Sequence, residues 1–333
     1  MLAVLENEPD APVVPVCGGV QIERLTGGAA AFAAFGYLRL ACHLSPVRPP
    51  WIAMGARAAG VPAGLAFGIL IPSGTGHPPQ AQMLSLAVSP AARRKGIGSA
   101  LARAFMEETR KDGAAEVCVR YTSRLQRRAA LEGCLRSAGF DVPQLSELIT
   151  FGEAGPLLAA GDAWPAVQRR LRQTAFLTFD PWAPLTEADR AAVGDLRRQP
   201  GYDPGFDPVP EAGRFEPACS IVIRRAGQLA GWVTAETGTA VPLAGYRDRP
   251  VIVYRSAYIS RELWQGGWLL GGYRAVLAAQ IAHHGPASIA QFYTSTPRKM
   301  QLVRRRFGPI ALQVDEHWVM RSAAGRQQDP SHI

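Results

Sequence analysis

The sequence lacks several patterns that define common classes of protein. Its five cysteines (Cys17, Cys42, Cys118, Cys134 and Cys219) are odd in number and have no C-x-x-C spacing, which argues against a disulfide framework and a zinc site. There is no run of about 18 apolar residues, so no membrane span is expected. The first residues include acidic rather than basic side chains, unlike a signal peptide, and we expect a cytoplasmic protein.

Two familiar phosphate-binding motifs are also missing. There is no G-x-x-x-x-G-K-[ST] loop, and Leu101 occupies the third glycine position of the dinucleotide pattern G-x-G-x-x-G. The formal net charge of +9 suits either a nucleic acid or an anionic small ligand. The arginines are dispersed and no nucleic-acid-binding motif accompanies them, so we expect no nucleic-acid partner. We also expect no metal, because His283-His284 has no neighbouring carboxylate or thiol in the sequence.

The most informative segment that is present runs from Met83 to Glu107. An apolar run ends at Ser89-Pro90, a basic turn follows, and an amphipathic helix begins near Ile97. Backbone N–H groups at a helix start have no intrahelical partner, and the helix dipole adds partial positive charge there. Gly96 and Gly98 have no Cβ, so a ligand oxygen can approach the main chain closely. The order of strand, glycine turn and helix therefore predicts a phosphate site.

The residues from Val88 to Gly98 give the pattern V-x-P-x-x-R-x-x-G-x-G, which resembles the acyl-CoA signature of the GNAT superfamily of N-acetyltransferases. The resemblance implies acetyl-CoA, or another acyl-CoA, as co-substrate, in a cleft between the strands 82–88 and 115–121. The implied binding residues are Leu86, Ala87, Val88, Arg93, Arg94, Lys95, Gly96, Ile97, Gly98 and Ser99.

The same resemblance implies direct attack of an amine on the thioester, with the backbone N–H of Val88 as the oxyanion donor. Two catalytic positions of the family are altered here. The motif strand offers only Gln80, Gln82 and Ser85 where many relatives have a glutamate, and Leu135 stands where they often have a tyrosine acid.

Other side chains are possible substitutes for the missing acid and base. We predict Tyr121, at the end of the neighbouring strand, and Glu147, on the last strand of this region, as catalytic candidates. Weaker candidates are the loop 201–208, which pairs carboxylates with aromatic rings, and the loop residues His43 and His77.

Three blocks of the chain repeat in order. Residues 56–67 align with 223–234, residues 86–106 with 257–277, and residues 118–123 with 290–295, at offsets of 167, 171 and 172. Three matches in the same order indicate two copies of one fold. The element pattern of the first copy, β-α-β-β-β-α-β-α-β, is the one that the resemblance implies.

We therefore predict an α/β protein of the α+β kind with two tandem GNAT-like domains, each a mixed central sheet flanked by helices. Gly152 to Gly161 is expected to be a small-residue linker. The predicted divisions are a leader (1–19), an acyl-CoA-binding domain (20–155), a linker and helix (156–174), a degenerate second domain (175–322) and a tail (323–333).

The second copy differs at the residues that would hold phosphate. Trp264 stands at the position of Arg93, and Leu269 at the position of Gly98, although Gly267 matches Gly96. We expect this copy to bind CoA poorly or not at all.

Three functions remain open. The first is an acyl-CoA-dependent N-acyltransferase, with acetyl as the expected group, that acts on a small amine or an amino-acid-derived metabolite. The second is a GNAT-fold enzyme that uses a longer acyl thioester or an acyl carrier protein, or that decarboxylates an acyl thioester. The third is a non-catalytic acyl-CoA sensor or scaffold, which fits a retained cradle with altered catalytic positions.

Overall fold

The computed structural model describes residues 19–26, 29–72, 78–173, 176–200, 202–238, 243 and 245–323. Its strands are β1 (Val20–Arg24), β2 (Trp51–Ala58), β3 (Val61–Ile71), β4 (Gln80–Val88), β5 (Glu116–Thr122), β6 (Gln144–Glu153), β7 (Leu177–Pro181), β8 (Ile221–Arg225), β9 (Gln228–Thr237), β10 (Val251–Ile259), β11 (Ile289–Thr294) and β12 (Gln313–Ala323). Its α-helices are α1 (Ile97–Lys111), α2 (Arg128–Ser137), α3 (Ala154–Asp162), α4 (Pro165–Arg172), α5 (Glu187–Arg197), α6 (Leu269–His284) and α7 (Pro297–Arg306). The predicted leader and tail fall outside the described residues, except for Gly19 and Ala323.

The chain forms two compact units whose limits differ from the predicted domain boundaries. The first unit comprises Met1–Ser146 and Glu316–Ile333, and the second comprises Glu147–Asp315. Most of β6 therefore belongs to the second unit, although we expected it to close the first domain, and most of β12 belongs to the first. The difference arises because β6 pairs with β11, from Leu148↔Thr294 to Glu153↔Ile289, whereas β12 pairs with β5.

The first unit has a mixed sheet with the strand order β1-β2-β3-β4-β5-β12. The β4–β5 pair is parallel, and it extends only from Gln80↔Glu116 to Met83↔Val119. Beyond Met83 the two strands diverge. On one face α1 buries Leu101 and Phe105 against the sheet, and on the other face the short 3-10 helix Ala29–Phe35 buries its phenylalanines.

The second unit has the corresponding mixed sheet, with the order β6-β11-β10-β9-β8-β7. Its parallel pair is β10–β11, which extends over four residue pairs from Val251↔Ile289 to Tyr254↔Phe292, as the β4–β5 pair does. Helix α6 packs on one face through Val276, and α5 packs on the other through Val193. Both units therefore have the predicted architecture of a mixed sheet flanked by helices.

The repeat that the sequence indicates is confirmed by matching turns. The β2–β3 turn has φ 49° at Ala59 and 81° at Gly60, and the β8–β9 turn has φ 49° at Ala226 and 79° at Gly227. Two consecutive positive φ values are typical of the hairpin turn that matches strand twist.

A second equivalence lies at the glycines that follow these turns. A Cβ on Gly64 would lie 2.8 Å from the carbonyl oxygen of Ala87, and one on Gly231 would lie 2.4 Å from that of Tyr258. The two copies thus keep the same close approach between their second hairpin strand and their motif strand.

The predicted linker from Gly152 to Gly161 is wrong in its secondary structure. Residues Ala154–Asp162 form helix α3, in which Ala154 and Leu157 are buried. The small residues allow close packing, and Gly155 lies against Pro286. The first helix of the predicted element pattern is instead a pair of 3-10 helices, Ala29–Phe35 and Leu38–Leu44.

A buried ion pair in the second unit gives a stability prediction. Arg224 donates hydrogen bonds of 2.7 and 3.1 Å to the carboxylate of Asp189, which also caps α5 together with Thr186. The hydrogen bond from Arg224 is the largest cause that lowers the pKa of Asp189 to about 2. Because the pKa is lower in the folded chain, the stabilisation is present above the ordinary value and is lost as the pH falls from about 4 to about 2.

Asp189→Asn is therefore expected to lower the free energy of unfolding by about 2 kcal/mol at pH 7. Urea denaturation measures this loss, and the difference from wild type should shrink as the pH approaches about 2. Asp195→Asn is the matched control, because Asp195 is 70% exposed in its pair with Arg198 and should change stability by less than about 1 kcal/mol. Equal losses of unfolding free energy in the two variants would contradict a stabilising role of the Arg224–Asp189 pair.

Candidate functional site

A cleft of about 650 Å³ opens in the first unit at the point where β4 and β5 diverge. Nine of the ten predicted binding residues line it, and the exception is Lys95. The residues that line the cleft are Tyr37, Ser85, Leu86, Ala87, Val88, Pro90, Ala92, Arg93, Arg94, Gly96, Ile97, Gly98, Ser99, Leu125, Arg127, Ala130, Leu131 and Cys134. The ligand role of this set stays a prediction.

One wall of the cleft is the open edge of β4. The N–H of Ser89 donates to the carbonyl of Ala63 on the β3 side, 2.9 Å away. Because N–H groups alternate along a strand, those of Val88 and Leu86 point away from β3, toward the side where β5 has diverged. The predicted oxyanion donor, the amide of Val88, thus lies on the open edge, and the amide of Leu86 shares that edge.

The turn after β4 is held by its own arginine. The Nε of Arg93 donates to the carbonyl oxygen of Val88 at 2.9 Å. Gly96 follows with φ +77° as the N-cap of α1, in a left-handed conformation that favours glycine. Gly96 cannot cap the helix with a side chain, so the first-turn amides of α1 face the cleft without an intrahelical acceptor.

Gly98 also has a structural role. We predicted that the absence of a Cβ lets a ligand approach, and a Cβ on Gly98 would in addition lie 2.9 Å from the Sγ of Cys134 on α2. Ser99 Oγ reinforces the same junction by donating to the carbonyl of Cys134 at 3.0 Å. Gly98 therefore allows α1 and α2 to meet at the start of α1.

The cleft is electropositive at this end. Arg93, Arg94 and Arg127 line it, and no acidic residue is among the described residues that do so. The first turn of α1 also has no acidic residue to offset the helix dipole. The site therefore favours an anion with more than one charge.

Tyr121 is not placed as a proton donor for this cleft. Its side chain is buried, it is not among the residues that line the cleft, and its hydroxyl donates to Glu132 Oε1 at 2.7 Å. Glu132 also accepts from Arg128 at 2.6 Å. Burial, followed by the neighbouring Glu132 carboxylate, raises the pKa of Tyr121 far above its ordinary value, so its proton stays on the oxygen.

The other catalytic candidates lie elsewhere. Glu147 lies on β6 in the second unit, where its charge adds to burial in raising the pKa of Tyr293. The ring of His43 stacks on Trp51, with centroids 4.1 Å apart. In the loop 202–208, the carboxylate of Asp207 forms an ion pair with Arg197 at 2.6 Å. A role in stabilising the turn accounts for this carboxylate without a ligand. His77 and Gly201 lie outside the described residues.

The second copy keeps the turn but not its charge. Trp264 Nε1 donates to the carbonyl of Ile259 at 2.6 Å, the same position at which Arg93 binds Val88. Gly267 also has φ +66°, like Gly96. The backbone of the turn is therefore reproduced by an uncharged donor.

The helix start of the second copy is covered from within its own unit. The guanidinium of Arg170 lies 4.8 Å from the ring centre of Trp268, which precedes α6, and Phe176 packs edge-on against the same ring at 5.1 Å. Leu269 packs against the core of the unit. These contacts cover the start of α6.

Six residues of the cleft lie outside the segment from Met83 to Glu107, and three of them have polar or ionisable side chains. Tyr37 follows the first 3-10 helix, Arg127 precedes α2, and Cys134 lies within α2. Only Arg127 gave a signal, as half of the basic pair 127–128. Each reaches the cleft through the fold rather than through the motif.

Among the described residues, no group of three or more His, Cys, Asp and Glu side chains is arranged to hold a metal ion. None of the helices that are described has both the length and the apolar character needed to cross a bilayer.

The comparison with protein families matches residues 30–135 to the acetyltransferase (GNAT) family. This range contains the motif, the cleft wall β4 and most of α2. No curated protein matches the chain in sequence.

Solved structures resemble the chain over nearly all of its length. One is a tandem GNAT protein from the clavulanic acid biosynthesis pathway, at TM-score 0.56 and 16% identity, covering 93% of this chain and 100% of that one. Another is a GCN5-related N-acetyltransferase from Sphaerobacter thermophilus, at TM-score 0.53 and 15% identity, covering 94% and 98%. A glucosamine N-acetyltransferase region of a fungal multi-domain GH3 β-N-acetylglucosaminidase matches at TM-score 0.58 and 14% identity, covering 92% of this chain and 38% of that one.

At these identities the structural matches define the fold, and the family match defines the first copy. Residues 30–135 thus form a GNAT acetyltransferase domain, and the chain as a whole has the fold of tandem GNAT proteins, with two copies that share paired turns and paired sheets.

Proposed function

We propose that the chain is an acyl-CoA-dependent N-acyltransferase, with acetyl as its acyl group and a small amine or amino-acid-derived metabolite as its acceptor. The observation that carries the proposal is the cleft beside β4, which joins an open strand edge to an uncapped helix start lined by arginines. Its volume of about 650 Å³ lies within the range of ligand pockets.

The two ends of the cleft suit the two ends of acyl-CoA. The pyrophosphate would bind the α1 amides and the guanidinium groups of Arg93 and Arg94. Arg127 adds a charge at the same end, which favours CoA, with its three phosphates, over a carrier-protein arm with one. The open edge of β4 offers main-chain partners to the amides of the pantetheine arm.

The chemistry at the other end is acyl transfer. The amine must be neutral before it attacks the thioester carbon. The carbonyl oxygen then gains negative charge, and the open amides of Val88 and Leu86 are donors that strengthen their hydrogen bonds as this charge develops.

A second candidate is an acyl-CoA sensor that binds without turnover. It is favoured by two side chains: Leu135, at an altered catalytic position of the family, is apolar and fully buried, and the substitute candidate Tyr121 has its hydroxyl committed to Glu132. Neither can exchange a proton with a ligand in the cleft.

Release of free thiol from acetyl-CoA across a panel of small amines tests the proposal. We expect turnover with at least one amine, together with much weaker activity with acetyl-phosphopantetheine, which lacks the nucleotide phosphates. Tight acetyl-CoA binding with no turnover on any amine would favour the sensor. Carbon dioxide release from malonyl-CoA without an amine would instead identify a decarboxylase.

A further inference from the structure

Two helices of the second unit, α4 and α7, carry a large surplus of positive charge. Together they have eight arginine and lysine side chains and no acidic one. The acid that precedes α4, Asp162, is already paired with Arg274 at 2.7 Å. Seven of the eight cations are exposed, namely Arg169, Arg172, Arg298, Lys299, Arg304, Arg305 and Arg306.

The fold joins the two helices into one surface, although about 130 residues separate them in the chain. The guanidinium of Arg306, at the end of α7, lies 4.7 Å from the ring centre of Trp164, which directly precedes α4. At the other end of α4, Arg170 lies over the ring of Trp268, against which Phe176 packs. The Phe176 ring is 43% exposed. Arginines that are dispersed in the sequence therefore lie together, with an exposed aromatic ring beside them.

The fold alone does not explain this charge. Cations in the last turns of α4 and α7 interact favourably with the helix dipoles. Arg298 and Lys299, however, lie in the first turn of α7, where the dipole is positive and no acid offsets it. Helix α2, which follows the equivalent strand of the first copy, pairs its Arg128 with Glu132. The uncompensated charge of α7 therefore indicates an anionic partner.

The composition of the surface distinguishes between the classes of partner. A protein interface has an apolar core, and a membrane-bound helix needs an apolar face. Among the described residues of α4 and α7, Leu302 is the one large apolar side chain that is exposed, at 38%. Nucleic-acid interfaces are much more positively charged than interfaces between proteins. An exposed ring beside cations also suits a single strand, whose unpaired bases can stack on it.

We propose that the surface formed by α4, α7 and Phe176 binds a single-stranded nucleic acid. The exposed arginine and lysine side chains bind its phosphates, and a base stacks on the Phe176 ring. This replaces the sequence-based expectation of no nucleic-acid partner. The binding does not depend on acyl transfer in the cleft of the first unit.

Fluorescence anisotropy with labelled strands of about 20 nucleotides, one RNA and one DNA, tests the proposal. We expect the full chain to bind at least one strand more tightly than the DNA duplex, and the tighter strand identifies the kind of nucleic acid. The double variant Arg298→Ala with Lys299→Ala should weaken binding about tenfold or more at about 0.1 M salt. Its slope of log affinity against log salt should be shallower by about 1.4, for two lost phosphate contacts.

A matched control removes the same charge elsewhere. Arg48→Ala with Arg110→Ala removes two exposed cations of the first unit, and the affinity should stay within about twofold of wild type. Urea denaturation shows whether each variant is folded. The Arg298 and Lys299 variant should lose no stability, because it relieves repulsion at the start of α7.

Phe176→Ala tests the stacking contact separately. We expect the affinity for the single strand to fall about fivefold or more, which is the effect of losing one stacked base. The salt slope should stay unchanged, because the ring displaces no counterions.

Four results would overturn the proposal. These are equal losses of affinity in the two double variants, duplex bound as tightly as single strands, displacement of the strand by acetyl-CoA, or displacement by polyglutamate at equal charge concentration. The last would identify an acidic protein partner instead, and displacement by acetyl-CoA would place the strand in the cleft. Thiol release with amines is measured separately, so neither proposal decides the other.

Discussion

Arg93→Ala is expected to raise the KM for acetyl-CoA about 10- to 100-fold while lowering kcat much less. The variant loses a cation that lines the cleft and the 2.9 Å hydrogen bond from Arg93 to the Val88 carbonyl. A hydrogen bond from a charged group contributes about 1.5–3 kcal/mol, which corresponds to roughly this change in affinity. Because ground state and transition state share the nucleotide contacts, the loss should appear mainly in KM.

The second copy supplies a matched control for this variant. Trp264→Ala removes the equivalent hydrogen bond, to Ile259, at a turn with no cation at that position. We expect its KM for acetyl-CoA to stay within about twofold of wild type, a change of less than about 0.5 kcal/mol. Steady-state kinetics measures both variants, and equal losses in the two would contradict the assignment of CoA to the first copy.

Gly98→Ala is expected to weaken acetyl-CoA binding about tenfold or more. Its new Cβ would lie 2.9 Å from the Sγ of Cys134, so either the Cys134 side chain or the start of α1, whose amides face the cleft, must shift. Overpacking of this kind costs about 1–3 kcal/mol. Calorimetric titration gives the change in Kd directly.

A double variant distinguishes this cause from a direct clash with the ligand. In Gly98→Ala with Cys134→Ala the sulfur is gone, and affinity should return to within about threefold of the Cys134→Ala single variant, a difference of less than about 0.7 kcal/mol. If the double variant binds as weakly as Gly98→Ala alone, the Cβ blocks the ligand itself, as the sequence pattern first suggested.

The local structure of the motif could be predicted because it depends on residues that are neighbours in the sequence. The bounds of α1, Ile97–Lys111, follow from the glycine turn and the apolar spacing, and those of β2, Trp51–Ala58, follow from the Ala59-Gly60 turn. The two copies could be recognised because their turns repeat the same small residues.

The strand partners could not be predicted in the same way. The sequences of β6 and β12 indicate strands, but alternating patterns do not specify which sheet each completes. Pairing of β12 with β5, seven residue pairs from His317↔Thr122 to Ala323↔Glu116, joins segments almost 200 residues apart. Such contacts depend on the whole fold.

The candidate site shows the same difference between local features and long-range contacts. Main-chain functions, such as the turn and the open edge of β4, were predictable because they follow from backbone geometry near the motif. The place of Tyr37 in the cleft and the contact at Gly98 were not, because each depends on a residue brought from another element, Ser85 in the first case and Cys134 in the second.

The central claim is that the chain has one acyl-CoA site and that this site lies in the first copy. Calorimetric titration of the full chain with acetyl-CoA tests it most directly, with wild type compared with Arg93→Ala and Trp264→Ala. We expect one molecule bound per chain, with affinity reduced only in Arg93→Ala. Two equivalent sites per chain, or a single site weakened by Trp264→Ala and not by Arg93→Ala, would contradict the account.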